Sequence, residues 1–408
     1  MSDYRDLLER ERRRFRMPHG SMEELERRRD RKRRNRRIAS GIVALVIAAA
    51  GIGAGLYALR PAGNGKPVVT PTPTVAPPSA HGLLAPSGPI QFVSPEKGWA
   101  VRPNGQIVAT VDGGKTWMVQ HKGTMAIIGV QFIDDMHGWA LAEKGVLRTM
   151  DGGGSWEPVS DQAFTTVQFV NSLTGWGIRS ESYTPAPRQL VKTEDGGRTW
   201  TAEGLAADSL CALDDKVLWA AGAGEGGIMF ARSSDGGASW VDTPIPVPQG
   251  EPWTATVRCA GIDAWVLVQD GGAAGHLPYA LYHTAEGGPD AIPVLQEAGT
   301  RPLGNVKGVV DAQDPYPGPF VAFNGVDALF VGWCPACGNS VALYGAGPGW
   351  TPPVEVVDQG WTPSGISFAD RDHGWILLEH GGLGVGGFGW TVMATSDGGK
   401  TWSAATLG

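Results

Sequence analysis

The chain is poor in charge, cysteine and histidine. Of its 408 residues only 18% are Asp, Glu, Lys or Arg, while 16 are Trp, every one of them beyond residue 90. Disorder needs few aromatics and high charge, and a coiled coil needs about half its residues to be Ala, Glu, Lys, Leu or Arg, so both are excluded. Histidine is equally sparse. His121, His137, His276, His283, His373 and His380 show no metal-ligand spacing. No HExxH, phosphate loop or nucleophile elbow occurs, which removes the common hydrolase and nucleotide signatures. Apolar runs are scarce too: a single stretch, Ile38–Leu59, is long and free of charge. Glycine is abundant, with 60 residues, about twice its usual share of about 7%. The mixture is that of a turn-rich β-protein with aromatic packing.

The net charge of −7 hides two opposite blocks. Residues 1–37 carry 15 Lys/Arg against 8 Asp/Glu, a net of +7, and the remainder carries 19 against 33, a net of −14. Between them lies IASGIVALVIAAAGIGAGLYAL. A helix of that length spans roughly 33 Å, enough for a hydrocarbon core of about 30 Å. Arg31, Lys32, Arg33, Arg34, Arg36 and Arg37 precede it, and only Arg60 and Lys66 stand just after it. By the positive-inside rule the N-terminus is cytoplasmic and the rest lies outside. The expected organisation is a basic cytoplasmic segment (1–37), a transmembrane helix (38–59), a Pro-rich spacer (60–83) and an outer domain (84–408). The basic block fixes topology and touches anionic headgroups. No nucleic-acid partner is expected.

The outer domain repeats. Five segments share the form [ST]-x-D-G-G-x-[ST]-W, built on Asp112 and Trp117, Asp151 and Trp156, Asp195 and Trp200, Asp235 and Trp240, and Asp397 and Trp402. A second pattern precedes four of them: Phe92 and Gly98-Trp99, Phe132 and Gly138-Trp139, Phe169 and Gly175-Trp176, Phe368 and Gly374-Trp375. Degraded copies remain at Thr284-Ala-Glu286-Gly-Gly and before Trp350. These make seven repeats of 40–50 residues, each with four short apolar strands punctuated by turns. That period predicts an all-β, seven-bladed β-propeller, with six or eight blades as the neighbouring counts.

The repeats are identified as Asp-box (BNR) repeats. Their pairing with the Phe…Gly-Trp pattern most resembles the photosystem II assembly and stability factor family, and sialidases and sortilin-type propellers use similar boxes. The resemblance implies a non-catalytic role in assembling or stabilising a membrane complex. A sialidase-like glycosidase is the alternative. It requires an Arg cluster, and the stretch where sialidases carry a Phe/Tyr-Arg-Ile-Pro segment reads Pro89-Ile-Gln-Phe-Val-Ser-Pro95, without Arg.

In a four-stranded blade, with strands A to D from centre to rim, the A–B and C–D turns share one end and the B–C loops lie at the other. The boxes are C–D turns, and their uniformity marks them as structural. Each offers one carboxylate, too few for Ca²⁺, so no metal or cofactor is expected. The B–C loops of blades 3–7 are long and varied, and variable loops on a rigid scaffold are where binding sits. Tyr183, Arg188, His276, Phe388 and Trp390 are the candidate contacts for a protein or cell-envelope ligand. All four cysteines fall in the outer domain. Cys211 and Cys259, each where an opening strand should carry Phe, are candidates for a bridge between blades 4 and 5, with buried free thiols the alternative. Cys334 and Cys337 sit at one hairpin tip, placed for a local bridge. A lone Cys-x-x-Cys is a poor zinc or redox signal.

Overall fold

The computed structural model describes residues 85–408 apart from 124, 180–187, 225–226, 243–244, 247–253, 261, 271–276, 285–287, 289, 298–301, 304, 308, 313–315, 325–326, 335–337, 339, 347–352, 358–359, 381–388 and 406–408. The basic segment, the candidate transmembrane helix and the spacer lie outside these residues. Among the described residues no helix is long and apolar enough to cross a membrane.

Seven antiparallel-based sheets follow one another along the chain, five of four strands and two of five. Blade 1 is typical: Ile90–Phe92, Gly98–Val101, Ile107–Thr110 and Met118–His121, hydrogen-bonded in sequence order. The two middle strands are buried throughout and the rim strand is largely exposed. A strand covered on both faces reads as a continuous apolar run, which is why GWAV and IVAT do not alternate. Blade 4 splits its rim strand into Val241–Asp242 and Ile245–Pro246, and blade 5 adds Val310–Ala312 in parallel to Ala291–Glu297.

The buried residues form seven clusters, and each joins two consecutive blades. The core is therefore a set of seams. The Phe…Gly-Trp pattern builds them. Trp99 stacks on Phe132 of the next blade with ring centroids 3.5 Å apart, Trp139 on Phe169 at 3.7 Å, and Trp375 of blade 7 on Phe92 of blade 1 at 3.5 Å, which closes the ring. Such pairs contribute about 0.5–1.5 kcal/mol beyond burial. The glycine before each Trp leaves room for its own blade's Phe: a Cβ on Gly138 would come within 2.5 Å of the Phe132 ring.

A second seam device lies one residue earlier. Gln131 donates through Nε2 to Phe169 O (2.9 Å) and accepts at Oε1 from Phe169 N (2.7 Å). Gln91 grips Phe132 and Gln168 grips Ala212 in the same way. Cys211 occupies this glutamine position in blade 4, not the Phe position that the sequence reading gave it. The Phe position is Ala212, which Gln168 grips. Cys211 is bonded to Cys259, with Cα atoms 5.7 Å apart, so a covalent link replaces the amide clamp between blades 4 and 5. Cys334 is also disulfide-bonded, and Cys337 lies outside the described residues. In blade 5 the position holds Arg258, which reaches over Phe320 of blade 6 at 5.4 Å and whose pKa burial pushes down to about 10. In blade 7 it holds Ser367, whose hydroxyl accepts from Phe92 N at 2.8 Å.

The segment leading into blade 1 runs against the inner strands of blades 2 and 3. Ser87 N donates to Val167 O, and Gly88 and Val130 exchange backbone hydrogen bonds. The chain thus joins the ring along the inner edges of blades 2 and 3.

Gln131→Leu strands a buried N–H and C=O, each of which costs about 1–3 kcal/mol. The substitution is expected to destabilise the propeller by about 2–5 kcal/mol in urea unfolding, against little change for the exposed Lys122→Leu. Removing the 48-residue Cys211–Cys259 link as Cys211→Ala with Cys259→Ala is expected to cost about 2–4 kcal/mol. An unchanged denaturation midpoint in either variant would contradict the seam as the source of stability.

Candidate functional site

The box end of the ring is assembled from the turn outward. In blade 1, Asp112 Oδ1 accepts from Thr116 N at 2.9 Å and from the Thr110 hydroxyl at 2.8 Å, and Oδ2 accepts from the Thr116 hydroxyl at 2.6 Å. Thr110 Oγ1 in turn accepts from Gly114 N at 2.9 Å. The two glycines adopt φ of 74° and 92°, the left-handed region that other residues avoid. The same bonds recur around Asp151, Asp195, Asp235 and Asp397. Each box is fixed to the A–B turn of its blade by a glycine N–H, Gly113 to Glu96 O and Gly152 to Met136 O among them. The closing indoles of Trp117, Trp200 and Trp402 donate to the box carbonyl three residues back. Trp156 and Trp240 pack at the edges of their seams.

These bonds hold the carboxylates ionised. Asp112 and Asp397 lie at a pKa of about 2, led by the hydroxyls of Thr116 and Thr401. At Asp195 burial pulls upward, but the hydroxyl and N–H of Thr199 outweigh it, and the group also lies at about 2. Asp151 and Asp235 are lowered, led by Ser155 N–H and the Ser239 hydroxyl.

Of the five loop-end candidates, Tyr183, His276 and Phe388 lie outside the described residues. Arg188 pairs with Asp208 at 3.2 Å. Trp390 is half-buried in the seam between blades 7 and 1, with the Arg102 guanidinium over its ring at 5.6 Å. The guanidinium groups of Arg148 and Arg198 share Glu157, and Arg371 pairs with Asp327, so these cations are held by carboxylates of the fold. Among the described residues no group of three metal-ligating side chains occurs. His137 and His373 sit in A–B turns, each bonded to the Asp three residues earlier.

A cavity of about 400 Å³ opens at the box end, between blades 3 and 4, and not at the loop end to which the sequence reading assigned recognition. Lys192, Glu194, Glu203 and the two box aspartates Asp195 and Asp235 line it. Lys192 and Glu194 pair at 3.0 Å. Burial pushes the Glu203 carboxyl up; Lys192 opposes this, and Glu194 and Asp235 add to it. The repeat concealed Glu203: its counterpart in blade 1 is Gln120, the third residue after the box Trp, a position outside the box pattern.

No protein-family model matches the chain. A curated relative, the photosystem II assembly lipoprotein Ycf48 of Synechococcus sp. (strain CC9902), is 26% identical over 178 residues, 41% of this chain and 50% of the relative. In sequence the chain resembles Ycf48. The match spans half the length of that relative. A solved structure of YCF48 bound to D1 peptide is 19% identical, covering 74% of this chain and 93% of its own, with a TM-score of 0.49. An ancestral GH74 enzyme shares the propeller fold at 11% identity and a TM-score of 0.51, covering 79% of this chain and 54% of its own.

The sign of the acid response follows from the lowered carboxyls. Their folded pKa of about 2 lies below the unfolded value of about 3.9, so the stabilisation is full above that value and is lost as pH falls toward 2. Tm is expected to hold from pH 7 to about 4.5 and to fall below it. The triple variant Asp112→Asn, Asp195→Asn, Asp397→Asn is expected to melt lower at pH 7 with a shallower acid limb. Parallel limbs for the two proteins would refute the linkage.

Proposed function

We infer that the chain is a membrane-anchored, non-catalytic propeller that binds a protein of a membrane complex, an assembly or stability factor of the Ycf48 kind. The observation that carries this reading is the sequence match to Ycf48, whose name describes photosystem II assembly. The chemistry is consistent with it. The box carboxylates are consumed by their own turns, and four described guanidinium groups are held by carboxylates, so neither set serves as a catalytic or sugar-gripping group.

Ile38–Leu59 supplies the anchor, with the Arg-rich block holding the N-terminus in the cytoplasm. The Pro-rich spacer keeps the ring off the bilayer as a semi-rigid extended segment. The partner lies against the B–C loops of blades 3–7, with Arg188 and Trp390 at its border and Tyr183, His276 and Phe388 within it. In this arrangement the seams make a stiff platform and the long loops carry the specificity.

Affinity capture with the full chain in mild detergent, from membranes of its own host, tests the reading. One membrane-complex subunit is expected to co-purify, and Arg188→Ala with Trp390→Ala to reduce its recovery about tenfold. Turnover of a fluorogenic sialoside by the full chain, or recovery unaffected by the double variant, would overturn it. Release of the chain from membranes by alkaline carbonate would refute the anchor separately.

A further inference from the structure

The seam between blades 3 and 4 differs at the box end from the three seams that join blades 7, 1, 2 and 3. In blade 2 the Trp139 indole N–H reaches Gly196 O of the next box at 3.1 Å, and in blade 7 Trp375 reaches Gly113 O at 2.9 Å. In blade 1 Gln120 mediates: it accepts from Trp99 Nε1 at 3.0 Å and donates to Gly152 O at 3.1 Å. Blade 3 has Glu203 where blade 1 has Gln120. A carboxylate cannot donate to the next box carbonyl, and the bridge is broken. Trp176, fully buried, has an indole N–H with no partner among the described residues, as does Trp219 in blade 4. Glu203 lies over Gly237, where an added Cβ would come within 2.6 Å of its Oε2. Beside these two groups is the cavity, whose lining includes four carboxylates and one ammonium, a net of −3.

A metal ion does not suit this site. The oxygens of Asp195 and Asp235 are already bonded within their turns, and Glu194 is paired with Lys192. What remains is too little for a hard cation that takes six to eight oxygens. An organic cation needs only negative charge and one acceptor: Glu203 supplies the acceptor, and Glu194 adds to the charge.

Exposed aliphatic side chains stand at the same end of the ring as the cavity, along with the Arg198–Glu157 pair. Leu173 is 54% exposed, and its carbonyl holds Gly196, next to Asp195 of the cavity wall. In the adjoining blade 2, Met136 and Met150 are 43% and 47% exposed, and Met136 O holds Gly152 of the same box. All three side chains project from turns at the box end. An acidic cavity flanked by exposed aliphatic side chains complements one kind of occupant: an extended protein segment with a basic side chain between apolar ones.

We propose that the box end of blades 2–4 is a second docking surface, which takes the Lys or Arg side chain of a basic, apolar-flanked protein segment into the cavity beside Glu203 while its neighbours lie on Leu173, Met150 and Met136. This surface is at the opposite end of the ring from the B–C loops, so its success or failure is independent of the loop-end reading.

The test uses the full chain in detergent and a fluorescein-labelled peptide, Ac-Leu-Leu-Arg-Leu-Leu-Ala-NH₂, with a twin carrying neutral citrulline for Arg. Fluorescence anisotropy is expected to show the Arg peptide binding at least tenfold more tightly than its twin. Glu203→Gln with Glu194→Gln is expected to abolish that preference, and Leu173→Ser with Met150→Ser to weaken both peptides alike. A charge-matched control at the other end, Glu143→Gln with Glu379→Gln, is expected to change neither. Hydrogen exchange on the wild-type chain needs no variant: residues 194–203 and 233–240 are expected to gain protection with the Arg peptide. Equal affinity for the two peptides, an equal effect of the control variant, or unchanged exchange in those segments would overturn the proposal.

Discussion

A single four-stranded sheet has two apolar faces and no means of covering either. Each blade of this propeller solves the problem by lending one face to the blade before it and the other to the blade after. The seven buried clusters each span two blades, so no blade has a core of its own. The seam, with its Trp–Phe stack and its side-chain clamp, is the unit of stability, and the ring exists because the last seam joins Trp375 to Phe92. Everything else in the outer domain either positions a seam or decorates it.

The clamp position shows how one structural task accepts several chemistries. A glutamine amide offers both a donor and an acceptor to the neighbouring backbone, which is the complete requirement of a buried peptide unit. Where the amide is lost between blades 4 and 5, a disulfide takes its place. Where Arg258 replaces it, the long aliphatic stem crosses the seam and the guanidinium rests on an aromatic ring. These substitutions fall in blades 4, 5 and 7, where the repeat signature is weakest or the ring closes.

The same reasoning separates the two ends of the molecule. The boxes are saturated by their own hydroxyls and N–H groups, and that saturation makes them reliable corners. The exception is a seam where one residue outside the box changed from amide to carboxylate. The change removed the donor to the next box carbonyl and set a carboxylate beside a cavity, and local chemistry of that kind distinguishes a surface from a scaffold. The loops at the other end vary in length from blade to blade in the sequence, so the two ends of the ring differ in kind.

Much of this was legible from the chain alone, for a reason that can be located. The Asp-Gly-Gly turn, its flanking hydroxyls and the Gly that makes room for Phe act over a few residues, so their requirements recur as a visible spacing in every blade. The sequence by itself therefore determined the fold class, the number of blades, the box geometry and the end at which the boxes lie. It did not disclose which groups meet across a seam. Gln131 and Phe169 are 38 residues apart, and Cys211 and Cys259 are 48 apart; Cys211 pairs with Trp219 as Gln91 pairs with Trp99, which places it at the clamp position and not at the expected Phe position. Nor did it reveal the cavity, because Glu203 acquires its meaning only from Gly237 and Asp235 in the next blade. Those contacts depend on the rotation from one blade to the next, which a linear repeat does not encode and only closure of the ring imposes.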